Sequence, residues 1–174
     1  MANTDTLTRW LEAFGDVRER WSLRKATLPI WDRYTSCALG SAALTTDTAK
    51  AKIGSSDFYA LAAGVLVKVA ASTDMAALVG TVTNATFNVF CFFVDSGGNL
   101  TTFMGTAGAT LGAVVFPQFP TGKAFIGAVI INPTGTGNFT GGTTSLTDGT
   151  VVPNAVFING NGAFDPACLT GSLS

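Results

Sequence analysis

Histidine is absent from the 174 residues, which removes the commonest general base. Serine and threonine are plentiful, yet none can form the hydroxyl–imidazole pair of the usual hydrolases. Charge is scarce as well. Ionic residues make up 12% of the chain, about half the usual share, and the formal net charge is -1. That balance gives no electrostatic case for nucleic acid or for an anionic membrane surface. Cysteine occurs only as Cys37, Cys91 and Cys168, an odd set without metal-type spacing. Neither a disulfide framework nor a zinc site is expected, and Cys91, in an apolar run, reads as a small core residue. The longest apolar runs are too short to span a bilayer. No basic stretch leads into an apolar one, as a secretory signal requires.

The remaining polar groups do not assemble a reaction centre. Asp95 precedes Ser96 and two glycines, Asp148 precedes Gly149, and Asp165 precedes Pro166. Turn formation explains all three better than paired-carboxylate chemistry or a calcium loop. Gly135 and Gly137 open like a dinucleotide loop, but Thr140 stands where the third glycine belongs. Thr121, Gly122 and Lys123 lack the leading glycine and the following hydroxyl of a phosphate loop. No catalytic residue, cofactor site or metal site is expected, and the chain reads as a non-enzyme.

What charge there is sits at one end. Residues 1–34 hold 11 of the 21 ionic side chains, whereas between Met75 and Phe164 there are only Asp95, Lys123 and Asp148. A solitary β domain with so little charge would be poorly soluble. The expectation is a homo-oligomer, or burial against other subunits.

The chain divides accordingly into a docking arm with linker, 1–34, and a β domain, 35–174. In the arm, Leu7, Trp10, Leu11, Phe14, Val17 and Trp21 follow the i, i+3, i+4, i+7 spacing of one helical face. Asp5 is placed to cap that helix and Pro29 to end it. Trp31 and Tyr34 are expected in an irregular linker. All three tryptophans, Trp10, Trp21 and Trp31, fall here, and tryptophan is enriched at interface hot spots. Two readings stay open: an arm that docks on a larger assembly, or a helix laid over the domain's own sheet.

In the β domain the run 87–95 is apolar on both sides of a period-2 pattern. Phe87, Val89, Cys91 and Phe93 lie on one side; Phe90, Phe92 and Val94 lie on the other. Such a strand belongs at the centre of a covered sheet. Residues 96–99 form the reversal and 100–104 the returning strand. Residues 123–131 make a second doubly apolar strand, with Gly127 marking a close contact. Ala62, Ala63 and Gly64 signal another hairpin. Short helices are expected over 75–78 and 107–115. Residues 81–84 should lead by alternation into the central strand, and Pro153 places the late strand at an edge. Phe116, Phe119, Phe125 and Phe139 suit core packing better than a sugar platform. The fold class is mainly β: an antiparallel sheet or sandwich with short covering helices and an N-terminal amphipathic helical arm.

The order of pieces from 81 to 146 resembles a module of tailed-bacteriophage virion proteins. The strand and hairpin 87–99, the small-residue segment 107–115, residues 117–123, the strand 125–131 and residues 138–146 carry it. The resemblance implies a structural protein of the capsid surface or tail-fibre apparatus, often trimeric and without catalytic residues. It leads to a capsid decoration or head-fibre protein docking on the major capsid protein or another virion protein. A tail or baseplate component and a carbohydrate-binding adhesin module are the alternatives.

Overall fold

The computed structural model describes residues 31–162. It is mainly antiparallel β. The first five strands are β1 (Cys37–Ala38), β2 (Thr45–Asp47), β3 (Lys50–Lys52), β4 (Phe58–Ala62) and β5 (Val65–Val69). The next three are β6 (Thr81–Val82), β7 (Asn88–Val94) and β8 (Leu100–Met104). The last are β9 (Ala124–Ile131), β10 (Phe139–Thr140) and β11 (Val156–Asn159). The largest sheet runs β11-β9-β7-β8 and a second runs β1-β4-β5.

The doubly apolar runs β7 and β9 are adjacent interior strands, and every residue of both is buried. Their two faces feed two cores. Phe90, Phe92, Val94, Ile126 and Val129 pack with Phe58, Ala60, Val67 and Val69 from the β1-β4-β5 sheet. Val89, Cys91, Phe93, Phe125 and Ala128 pack under Val114, Phe119 and the partly buried Leu111 and Phe116. The four phenylalanines assigned to core packing, Phe116, Phe119, Phe125 and Phe139, therefore sit in or against these cores. Cys91 is a free thiol with no exposure, and burial pushes its ionisation far above the ordinary thiol range.

A bulge in β9 shifts which of its residues face which core. Phe92 pairs with Gly127 and Phe93 with Phe125, so Ile126 is the extra residue. Ile126 lies in the first core while Phe125 and Ala128 lie in the second. Glycine is needed beside the bulge because a Cβ at 127 would lie 2.5 Å from the Ile158 carbonyl oxygen and 2.6 Å from Leu44 Cδ1. The hairpins follow their turn chemistry. Ala63 and Gly64, between β4 and β5, both have positive φ (49° and 77°), the geometry that matches strand twist in a two-residue loop. Strand β11 is at a sheet edge, as Pro153 implied.

Three local expectations within the β domain fail. Residues 107–115 contain only a single 3₁₀ turn, Leu111–Ala113. Their backbone is engaged elsewhere: Phe87 and Gly108 exchange hydrogen bonds at 2.8 and 2.9 Å, as do Thr106 and Val115 at 2.8 and 3.1 Å. Residues 75–78 are not helical either. The Met75 amide donates to the Ala51 carbonyl at 2.8 Å, and the Ala76 carbonyl accepts from Thr102 Oγ1 at 2.9 Å. Those groups are lost to an i→i−4 ladder. Strand β6 does not run into β7; it pairs with β10 in a separate ribbon, Phe139 opposite Val82. The covering elements are loops rather than helices.

Candidate docking surface

Alternation along β4 and β5 puts Phe58, Ala60, Ala62, Val67 and Val69 inside. The same alternation turns Tyr59, Leu61, Leu66 and Lys68 outward. Register then builds rows across the sheet. Cys37 lies opposite Leu61, and Leu61 opposite Leu66. Tyr59 lies opposite Lys68, with Leu39 alongside through a 3.0 Å backbone bond to the Tyr59 carbonyl. Leu66 is 63% exposed and Tyr59 43%. Here the solvent face of a sheet, normally polar, is mostly apolar. Its one ionic feature is a solvated rim pair, Lys68 Nζ to Asp57 Oδ2 at 2.7 Å.

Residues 31–35 are helical, where an irregular linker was expected. The turn is tied to the domain from both ends. Asp32 pairs with its neighbour Arg33, and Asp32 Oδ1 accepts from the Gly122 amide at 2.9 Å. Arg33, 7% exposed, donates to the Pro120 carbonyl at 3.2 Å and lies over the Phe119 ring at 5.7 Å. The Thr35 carbonyl accepts from the Gly64 amide at 2.7 Å, and Ser36 Oγ accepts from the Ala63 amide at 3.0 Å. The turn thus sits on the β4–β5 hairpin tip. Trp31, 66% exposed, and Tyr34 point away from the core.

Of the docking residues read from the sequence, Trp31 is described and lies exposed on the turn 31–35. Leu7, Trp10, Leu11, Phe14, Val17 and Trp21 lie outside the described residues. The outer sheet face was missed. Its signal was present: 58–62 carries no charged residue, and 65–69 carries only Lys68.

Asp95 and Asp148 behave as turn formers, and Asp165 lies outside the described residues. Asp95 Oδ1 accepts from the Asn99 and Gly97 amides, each at 2.9 Å, and from Asn99 Nδ2 at 3.1 Å. These bonds, the Asn99 amide first, hold its carboxyl below the ordinary carboxylate range. Asp148 accepts from Thr150 Oγ1 at 2.6 Å and from the Thr150 amide at 2.9 Å and is lowered in the same way. A carboxyl lowered in the folded state adds stability that is complete above its unfolded pKa, about 3.9, and is lost as pH falls through the folded value. Asp95→Asn should therefore lower the urea midpoint at pH 7 and flatten its fall below about pH 4. An unchanged acid limb in urea titrations at several pH values would refute this.

Among the described residues, no three His, Cys, Asp or Glu side chains converge as a metal site, and no helix is long and apolar enough to cross a membrane. No family model matches the chain, and neither a curated protein nor a solved structure does.

Proposed function

We propose that this chain is a non-enzymatic structural subunit of a tailed-phage virion, a capsid decoration or head-fibre protein. It forms homo-oligomers, trimers by preference, and attaches to the major capsid protein or another virion protein through its N-terminal arm. The observation that carries the proposal is the apolar outer face of the β1-β4-β5 sheet. A chain with three ionic residues between Met75 and Phe164 has little charge with which to keep such a face solvated. Covering apolar surface contributes about 25 cal/mol per Å² removed from water, so each added subunit would strengthen a shell. The segment from 81 to 146, whose order resembles the virion module, supplies both central strands and the loop cover of the second core.

The test is particle incorporation. Full-length protein should co-purify with heads. A chain lacking residues 1–30 should keep its β-sheet circular dichroism and lose incorporation at least about tenfold, which corresponds to 1.4 kcal/mol of binding. Normal incorporation of the truncation contradicts arm docking. Recovery only with detached tails assigns the chain to the tail apparatus, and specific glycan-array binding by the free protein favours the adhesin class.

A further inference from the structure

We infer that β5 is an interchain edge: in solution it pairs antiparallel with β5 of a second copy about a two-fold axis, so that two β1-β4-β5 sheets become one continuous sheet. The inference rests on the homo-oligomer reading above and names one contact within it. Such a contact is self-complementary and closes at two copies. It doubles whatever unit the remaining contacts build, one chain or three.

The backbone supplies the first argument. β5 is the end strand of its sheet. The Tyr59 carbonyl accepts from the Leu39 amide at 3.0 Å, so Tyr59 and Leu61 turn their backbone groups toward β1. Phe58, Ala60 and Ala62 then serve β5, opposite Val69, Val67 and Val65. That leaves the amides and carbonyls of Leu66 and Lys68 pointing out of the open edge, and no described residue bonds them. Such an edge is a template for another strand. Lys68 is the kind of residue that blunts an edge, but it is drawn back across its own hairpin to Asp57 Oδ2 at 2.7 Å. Val65 shows the same opening from the inner side. It shares a side with Val67 and Val69, yet it is 49% exposed against their 6% and 5%.

Charge and committed donors point to a second copy as the occupant and fix its register. With Val67 opposite Val67 of the second copy, Leu66 and Lys68 exchange hydrogen bonds with Lys68 and Leu66 across the axis, and every open edge group is paired. Val65 then lies beside Val69 of the second copy. The Lys68 stem covers Leu66 there while its ammonium stays at Asp57. Centring the pair on Leu66 would call on the Gly64 amide, which already donates to the Thr35 carbonyl at 2.7 Å. Centring it on Lys68 would set two ammonium groups directly opposite each other. The strand that fits must carry an aliphatic residue opposite Lys68 and a long stem opposite Leu66, two positions apart. β5 is itself such a strand.

Two changes at one residue of the full chain separate this contact from stacking of the apolar outer faces. Leu66→Pro removes an outward N–H and keeps an apolar side chain, at an edge position that tolerates proline. It should halve the mass seen by light scattering. Leu66→Glu keeps the N–H and sets a carboxylate opposite Lys68 of the second copy, so the mass should stay at the parent value. Dissociation in Leu66→Glu with association retained in Leu66→Pro means face stacking and overturns the inference. A parent mass of one or three chains overturns it as well. Amide exchange in the unmodified protein gives a readout that needs no variant to fold. In the associated protein the Leu66 and Lys68 amides should exchange within about tenfold of the Val67 amide, which lies in the β4–β5 ladder. Exchange of both at the rate of an open strand edge overturns the inference whatever the variants do. All of these measurements use free protein, so failure of particle docking and failure of this contact are separately visible.

Discussion

Phe93→Ala is expected to lower the unfolding free energy by about 3–5 kcal/mol, the range for removing a fully buried phenylalanine. Phe93 has no exposure and sits at the middle of an aromatic cluster. Its ring meets Phe119 edge-on at 4.8 Å and Phe103 edge-on at 5.7 Å, and lies tilted against Phe125 at 5.7 Å. Phe119 comes from a loop, not from a strand or helix, so one wall of the site can move inward. The cavity should partly close and the cost should lie in the lower half of the range. Phe103 lies at the sheet edge and is 39% exposed. Phe103→Ala should cost only about 1 kcal/mol, the scale of one aromatic pair with modest burial. Urea unfolding of the two variants separates them. Equal losses would mean that the loop segment 111–119 does not form a packed second core.

Gly127→Ala should cost about 1–3 kcal/mol by overpacking, although the change adds only one methyl group. Conformation is not the reason, since φ at 127 is not positive. Space is the reason. The new carbon would meet a backbone oxygen of β11 on one side and Leu44 on the other. Leu44 can move, while the Ile158 carbonyl is held in the β11–β9 ladder. Adding Leu44→Ala should therefore return only part of the loss, with non-additive coupling between the two sites. Thermal denaturation should register about 2–4 °C for each kcal/mol. Full rescue by Leu44→Ala would show that the strand contact is not the controlling one, and an unchanged melting temperature in Gly127→Ala would refute the close packing itself.

These two sites differ in how far the sequence disclosed them. Phe93 stood in a run apolar on both sides, which marks a covered interior strand without reference to any partner. Gly127 interrupted a second such run, and a glycine there implied close approach. The neighbour it approaches, Ile158, lies 31 positions later and carries no local mark. The outer face of the β1-β4-β5 sheet was legible by the same two-sided criterion, in the absence of charged residues from 58–62. It became a surface only when one side of those strands was seen packed and the other left open. Short helices over 75–78 and 107–115 were reasonable from small residues and a capping pattern. They lost to long-range bonds with Ala51, Thr102 and Phe87, which no window of neighbouring residues contains.

Local chemistry sufficed for the interior strands, the tight turns and the turn-forming carboxylates. Side-chain alternation, positive-φ geometry and carboxylate–amide bonding each act within a few residues. Pairing of β6 with β10, the bulge at Ile126 and the exposed apolar sheet were settled by the folded arrangement. Each depends on which backbone group or side chain arrives from a distant part of the chain, and satisfying buried hydrogen bonds and filling space are decided among those arrivals together.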